Sequence, residues 1–420
     1  METLRGVKDI LPGEIEKWQQ LYDIAYDILS KANYIEIRTP VLENTELFKR
    51  SIGNFTDIVN KEMYSFEDQG NRNVTLRPEG TASVARAFIS NKMYINNNIH
   101  RLWYLGPMFR YERPQKGRQR QFHQLGIECI GSNSPIADIE VIRLALKILN
   151  QLNIKGYKLE INSIGSLEER TEYQEKLVNY LTKYEDDLDI DSKKRLKTNP
   201  IRILDSKIQR TQKILLGAPK LKDVLKTESL NHFNYICESL NYLNIPYEIN
   251  NNLVRGLDYY NYTAFEIKIN QLGSQNTLCG GGRYDKLIEQ IGGPSTPSVG
   301  WAIGIERLII IIKNLLNDKI EKPEIYLITE GKLAKQKVWH IIEIIEECQI
   351  CFELDLNEKN LKKQVKKASN SNAKICCILG EDEIKNNHIT VKWLKTGQQE
   401  QVILYQFKAY LKYIKNSVFN

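Results

Sequence analysis

Two apolar runs between Arg101 and Gly131 flank Glu112–Arg120, a cationic stretch that holds Pro114 and Gly117, and this pattern admits few folds. Such runs around a turn-rich segment predict an antiparallel hairpin with a long exposed loop. On the returning strand Gln124, Gly126 and Glu128 fall on one face, and Leu125, Ile127 and Cys129 on the other. Alternation alone fits two readings of the polar face: a recess that Gly126 opens for a small hydrogen-bonding ligand, or a plain solvated face. Arg110 closes the outgoing strand, and Arg113, Lys116, Arg118 and Arg120 lie in the loop. These donors could grip a triphosphate, face RNA, or do both. The chain has no Walker A pattern, and Gly280, Gly281 and Gly282 lack the strand-to-helix phosphate context, so close backbone packing is their expected use.

Around this hairpin the pattern predicts an α+β protein. Ile15, Trp18, Leu21, Tyr22, Ala25, Ile28 and Leu29 recur at helical spacing, and Tyr34–Val41 then turns β-like up to Pro40. Residues from about 167 to 245 are helical, charged and glycine-poor, which reads as an inserted helical module. Strand and glycine signals return at Leu253–Ile269, Cys279–Tyr284 and Gly300–Gly304, the last running into a helix Ile305–Leu316. After Lys322 and Pro323 strands and helices alternate: a strand Glu324–Leu327, a helix near Lys335–Cys348, and strands Lys374–Leu379 and His388–Trp393. The expected division is therefore 1–322, with its insertion, and an α/β domain 323–420, and a chain of 420 residues is long enough for two cores.

Lys+Arg total 59 against 52 Asp+Glu, a formal net charge of +7, which suits a polyanionic partner and equally an ordinary basic surface. The seven cysteines form no framework, and Cys348 and Cys351, though a C-x-x-C, have no second pair at zinc spacing; all read as structural thiols in a reducing compartment. The five histidines show no metal spacing, so no protein-built metal site is expected. Leu308–Ile312 is too short to span a bilayer, and METLRGVKDILPGE has no signal-peptide core, so no membrane partner is expected.

In order, these segments resemble the signature motifs of class II aminoacyl-tRNA synthetases and, more narrowly, of histidyl-tRNA synthetases. Motif 1 is matched by the helix and strand ending YIEIRTP at Pro40. Motif 2 is matched by FRYERPQKGRQRQFHQ over Phe109–Gln124, and motif 3 by GWAIGIER over Gly300–Arg307. LVRGLDYY over Leu253–Tyr260 and LRPEGT over Leu76–Thr81 resemble the histidine-specific segments. Gly380–Glu383 and Gly397–Gln399 resemble the family's C-terminal domain. Tyr111 departs from the pattern, because many bacterial relatives carry histidine there. The likeness implies a class II catalytic domain built on an antiparallel sheet and helices, a helical insertion, and an α/β anticodon-binding domain.

The same resemblance implies a homodimer through motif 1, L-histidine, ATP with Mg²⁺, and tRNA(His) as partners. Glu79, Gly80, Thr81 and Gln124 would surround the substrate α-ammonium, Glu128 and Tyr260 would bond the two imidazole nitrogens, and Tyr259 would line the pocket. Arg110 would take the α-phosphate, Arg307 the γ-phosphate and Arg118 the triphosphate. Glu112 would accept from the adenine amino group, and Phe122 would stack on the base. Arg255 would neutralise charge during attack, its competing use being a salt bridge to Asp258 or Glu266. Lys362, Lys363, Lys366 and Lys367 would read the anticodon, although by pattern they are a solvated helix face.

Two other readings are weighed. A catalytically dead relative, such as the histidine-binding regulatory subunit of ATP phosphoribosyltransferase, predicts eroded ATP residues, yet Arg110, Arg118, Arg255 and Arg307 all stand. A class II enzyme for threonine, proline or glycine is opposed by Leu253–Tyr260. The motif 2 wording resembles cyanobacterial-type sequences, and heavy Lys, Asn and Ile use suits a plastid genome. With no transit peptide before Met1, an organelle-encoded stromal protein is expected, the cytoplasm of an A+T-rich bacterium being the alternative.

Overall fold

A computed structural model describes residues 1–420 except 54–55, 97, 115–116, 207, 272–275, 314, 316–321, 357–359 and 420. The chain separates into two compact units, Met1–Asp318 and Lys319–Asn420.

In the first unit the strands are β1 (Ile35–Glu36), β2 (Leu42–Asn44), β3 (Tyr64–Glu67), β4 (Asn73–Leu76), β5 (His100–Phe109), β6 (Gln121–Ile130), β7 (Tyr157–Gly165), β8 (Glu248–Ile249), β9 (Asn261–Ile269), β10 (Thr277–Arg283) and β11 (Ser298–Gly304). Eight of them form one sheet in the order β1-β5-β6-β11-β10-β9-β7-β8. Its six central strands are antiparallel, and the two-residue strands at the edges add on in parallel. β2, β4 and β3 make a small separate sheet.

The hairpin is β5 and β6, paired from His100 with Ile130 to Phe109 with Gln121. One face of the large sheet is closed by the helices Ile15–Lys31, Pro135–Gln151 and Thr227–Tyr242. The first buries Trp18, Leu21, Ala25, Ile28 and Leu29, the stripe that its periodicity dictates. The last belongs to the charged stretch 167–245, yet Ile236 and Leu240 lie in the main core. The rest of that stretch, with helices Leu167–Leu181, Ile190–Thr198 and Gln209–Leu215, packs with Tyr259, Tyr260 and Ala264 toward the other face. A buried ion pair ties the layers together: Arg283 Nη2 lies 2.5 Å from Asp138 Oδ2 with both side chains sealed from solvent.

Three expectations change. The β-like stretch Tyr34–Val41 pairs only at Ile35–Glu36, because the carbonyls beyond are taken elsewhere: Arg77 Nη1 donates to Thr39 O at 2.8 Å and the Arg77 amide to Val41 O at 2.9 Å. The strand signal at Leu253–Ile269 is a strand only from Asn261, and Leu253–Tyr260 is a loop. The helix after Gly304 is Ile305–Ile312, and Leu316 lies outside the described residues.

The second unit is a five-stranded mixed sheet of β12 (Ile325–Thr329), β13 (Phe352–Leu354), β14 (Ile375–Leu379), β15 (His388–Trp393) and β16 (Gln399–Ile403), in the order β13-β12-β14-β15-β16. Helices Lys332–Glu347 and Phe407–Ile414 cover one face and Leu361–Asn370 the other. Lys362, Lys363, Lys366 and Lys367 are exposed on that last helix. No helix among the described residues is long and apolar enough to cross a membrane.

Candidate functional site

A cleft opens on the face of the large sheet opposite the three covering helices, and its position follows from residue size. The polar face of β6 lies beside Gly300, Ala302 and Gly304 of β11, in register with Glu128, Gly126 and Gln124. Ala302 and Gly304 leave the sheet uncovered there, whereas the space over Gly300 is taken by the Glu128 carboxylate. The glycine run on β10 continues the gap. A methyl group on Gly280 would stand 2.6 Å from the Arg255 guanidinium carbon, and one on Gly281 would stand 2.6 Å from both Phe265 and Trp301. The run therefore serves close packing, of a guanidinium in one case and of neighbouring strands in the other.

Gly126 itself does not open a ligand recess. Its cross-strand partner is Tyr104, whose ring fills that space, since a Cβ on Gly126 would lie 2.8 Å from Tyr104 Cε1. The same phenol occupies the space beside Gly80, 2.7 Å from where its Cβ would be. Gly80 thus makes room for Tyr104 and does not line the cleft, and the open recess lies one step along, over Ala302, Gly304 and Gly280.

At one end of the cleft two carboxylates are buried together, Glu79 at 3% exposure and Glu128 at 1%. Glu79 caps the helix Thr81–Ser90, accepting from the amides of Thr81 and Ala82 at 2.7 Å each. Thr81 Oγ1 donates to Glu128 Oε1 at 2.8 Å, and the Tyr284 hydroxyl donates to Glu128 Oε2. Burial raises the pKa of both acids, that of Glu128 to about 8, while the bonds from Tyr284 and Thr81 oppose the rise and the Glu79 charge adds to it. Tyr259 and Tyr260 stand edge-on to Tyr284, so three phenols wall this end. Gln124 and Tyr260 line the cleft beside them.

The other end is cationic. Arg110 donates from Nε to Pro78 O at 2.8 Å and lies 5.3 Å from the centre of the Phe122 ring. Arg118 Nη1 is 3.0 Å from Glu112 Oε2. Arg307 is held by the carbonyls of Gly117 and Thr277. Its pKa is pushed down, first by burial and then by the charge of Arg118, with Arg110 adding to it, as expected where cations crowd without enough counter-charge. Arg255 is paired with Glu266, the structural use that the sequence left open; Glu266 is itself tied to Thr277 Oγ1 at 2.9 Å. Buried polar atoms that find no hydrogen-bond partner among the described residues include Gln124 Oε1 and Arg255 Nε, both on cleft-lining side chains. Among those residues no group of three or more His, Cys, Asp or Glu is placed to hold a metal ion.

Of the residues singled out from the sequence, Glu79, Thr81, Arg110, Glu112, Arg118, Phe122, Gln124, Arg255, Tyr259, Tyr260 and Arg307 line this one cleft. Glu128 lies just behind it and meets it through Thr81. Arg120 turns away, its guanidinium 3.7 Å from the centre of the half-exposed Tyr111 ring. Lys116 lies outside the described residues. Sequence reasoning missed Tyr104 and Tyr284, whereas Glu266 is one of the two partners that it offered for Arg255. Hairpin register pairs Tyr104 with Gly126 and could have exposed the first, whereas Tyr284 directly follows β10, whose pairing no local pattern announces.

Comparison with known proteins points one way. A family model described as Histidyl-tRNA synthetase matches residues 6–308, and one described as Anticodon binding domain matches residues 324–414. The chain is 62% identical over 394 residues to the chloroplastic histidine–tRNA ligase of Gracilaria tenuistipitata var. liui, covering 94% of each chain. It is 53% identical over 418 residues to that of Pyropia yezoensis, covering 100% of this chain and 97% of the relative. The crystal structure of apo S. aureus histidyl-tRNA synthetase superposes with a TM-score of 0.81 at 36% identity, covering 98% of this chain and 100% of that one.

Proposed function

The chain belongs to the histidyl-tRNA synthetase family, and on that premise we propose that it activates L-histidine with ATP to histidyl-adenylate and pyrophosphate, then transfers the histidyl group to the 3′ end of tRNA(His). The observation that carries the reading is the polarity of the cleft, with buried carboxylates and phenols at one end and Arg110, Arg118, Arg255 and Arg307 at the other. Histidine presents an ammonium and an imidazole, and ATP presents a triphosphate, so each end suits one substrate.

In this reading Glu79, Thr81 and Gln124 hold the α-ammonium, Glu128 and Tyr260 bond the imidazole nitrogens, and Tyr259 walls the pocket. An analogue lacking a ring nitrogen would leave a buried Glu128 or Tyr260 unpaired, which is how a polar pocket rejects isosteres. Arg110 takes the α-phosphate, Arg118 the triphosphate and Arg307 the γ-phosphate. Glu112 accepts from the adenine amino group, and the base packs on Phe122. Mg²⁺ bound with ATP would add counter-charge to the triphosphate that Arg118 and Arg307 hold.

The histidine carboxylate attacks the α-phosphorus in line. A new P–O bond forms, the bond to the β-phosphate oxygen breaks, and pyrophosphate leaves. No side chain acts as nucleophile, so catalysis is positioning plus charge neutralisation, with Arg255 and Arg110 stabilising the negative charge at the reacting phosphate. The tRNA ribose hydroxyl then attacks the anhydride carbonyl and AMP departs.

The unit 323–420, with the four exposed lysines of the helix Leu361–Asn370, would contact the anticodon arm, and 1–322 would carry catalysis. The edge strand β1 and its preceding helix would form a homodimer interface; a monomer mass in solution scattering would count against it. The plastid stroma is the proposed location, with a bacterial cytoplasm as the alternative, and the DNA flanking the gene decides between them. Retention of all four arginines in the cleft favours a catalyst over a histidine-binding regulatory protein of the same fold. Transfer of labelled histidine to tRNA by the purified protein, lost in Arg255→Ala, is the expected result; a folded wild type that transfers none would refute the proposal.

A further inference from the structure

The loop Leu253–Tyr260 must hold two phenols and the Arg255 guanidinium in fixed positions, yet it belongs to no strand or helix. Carbonyls outside a ladder need other donors. Here alternate carbonyls of the loop are met from the helical module. Arg202 Nη2 donates to Gly256 O at 2.8 Å, and Arg170 Nη1 donates to Asp258 O at 3.1 Å and to Tyr260 O at 2.6 Å. Asn199 Nδ2 adds a bond to Asp258 Oδ1 at 3.0 Å.

The opposite side of the loop rests on the end of the helix Thr45–Ile52. The Asp258 amide donates to Ile52 O at 3.1 Å, and Gly53 leaves space for the Asp258 carboxyl, which would lie 3.0 Å from a Cβ there. Arg170 is itself held in place. It sits in the first turn of the helix Leu167–Leu181, whose Ser166 and Glu169 close a reciprocal capping box directly after β7.

We infer that Arg170, Asn199 and Arg202 are positioning residues of the histidine site, holding the loop backbone so that Tyr259, Tyr260 and Arg255 face the cleft. The inference rests on the reading of the cleft given above. Two guanidiniums spent on neutral carbonyls provide strong, directional bonds to a segment with no ladder of its own. A loop released by about 1 Å would carry Tyr260 out of hydrogen-bond range of a bound ring. The module is thereby coupled to amino-acid recognition and not only attached to the sheet.

The test is pyrophosphate exchange at varied histidine and varied ATP for the wild type, Arg170→Ala, Arg170→Lys, Asn199→Ala and Arg202→Ala. Lys176→Ala serves as the control, because it removes only an exposed pair with Glu172 on the same helix. Loss of a charge-assisted bond should raise the histidine KM about tenfold in Arg170→Ala and Arg202→Ala, with the ATP KM nearly unmoved. Arg170→Lys should recover part of the loss, and Lys176→Ala should match the wild type. Folded variants in which kcat falls with the histidine KM unchanged, or in which both KM values rise together, would overturn the inference. Should Arg170→Ala fail to fold, Asn199→Ala decides, because an unchanged histidine KM there is equally fatal. A wild type without histidine-dependent exchange would instead remove the reading of the cleft itself, and the inference with it.

Discussion

Replacing Gly280 by alanine shifts Arg255 without removing any polar group that meets substrate. The new Cβ would stand 2.6 Å from Arg255 Cζ and 2.7 Å from Nη1, where ordinary contact begins at 3.4 Å. Something must retreat by roughly 0.8 Å or more. The backbone cannot, because Gly280 is paired with Glu266 on β9 and Ala302 on β11, so the guanidinium moves. A misplacement of about 1 Å costs on the order of 10²-fold in rate when the displaced group neutralises developing charge. Gly280→Ala should therefore lower histidine-dependent pyrophosphate exchange by about 10²-fold and lower stability by about 1–3 kcal/mol through overpacking. Denaturant melts separate the two effects. Gly280→Ala combined with Arg255→Ala should be no slower than Arg255→Ala alone, because the methyl acts through that side chain. Full activity in folded Gly280→Ala, or additive losses in the double variant, would refute the reasoning.

Tyr284→Phe removes one of the two hydroxyls that hold Glu128 and should raise the histidine KM about tenfold with little change for ATP, measured by the same exchange. Glu128 titrates near 8 in the fold against an ordinary carboxylate value near 4.5, so the native state retains a proton that the unfolded chain loses. Its contribution to stability is present below about pH 4.5 and is lost as pH rises toward 8, so Glu128→Gln should gain on the wild type across that window in melts at stepped pH, and parallel curves would contradict it. Asp138→Ala takes one of two carboxylates from the buried Arg283, leaving Asp285 at 3.1 Å and the carbonyls of Ser132 and Ser134, and should cost about 1–3 kcal/mol in urea unfolding; no measurable loss would contradict a stabilising role for the pair.

The hairpin was legible because two apolar runs flank a polar loop that holds Pro114 and Gly117, and β15 falls where its residues predict, at His388–Trp393. The cationic end of the cleft was legible too, since arginines have few roles near a small ligand. The loop Leu253–Tyr260 read as strand because Leu, Val and Tyr suit either state, and the partners that meet its irregular backbone, among them Arg170 and Arg202, lie far away in sequence. Gly126 misled for a related reason. A missing side chain signals space, but which neighbour fills it depends on the strand opposite, and Tyr104 does. Tyr284 escaped notice because it gains meaning only through the order in which β6, β11 and β10 assemble, a long-range property that no window of sequence contains.

The central claim is that the carboxylate end of the cleft selects histidine for reaction with ATP at the arginine end. Amino-acid-dependent exchange of labelled pyrophosphate into ATP, run on the wild type and Arg255→Ala with histidine, threonine, proline and glycine, tests it most directly. The account predicts exchange with histidine alone, lost in the folded variant. Exchange with another amino acid, or histidine binding without any exchange, would contradict it.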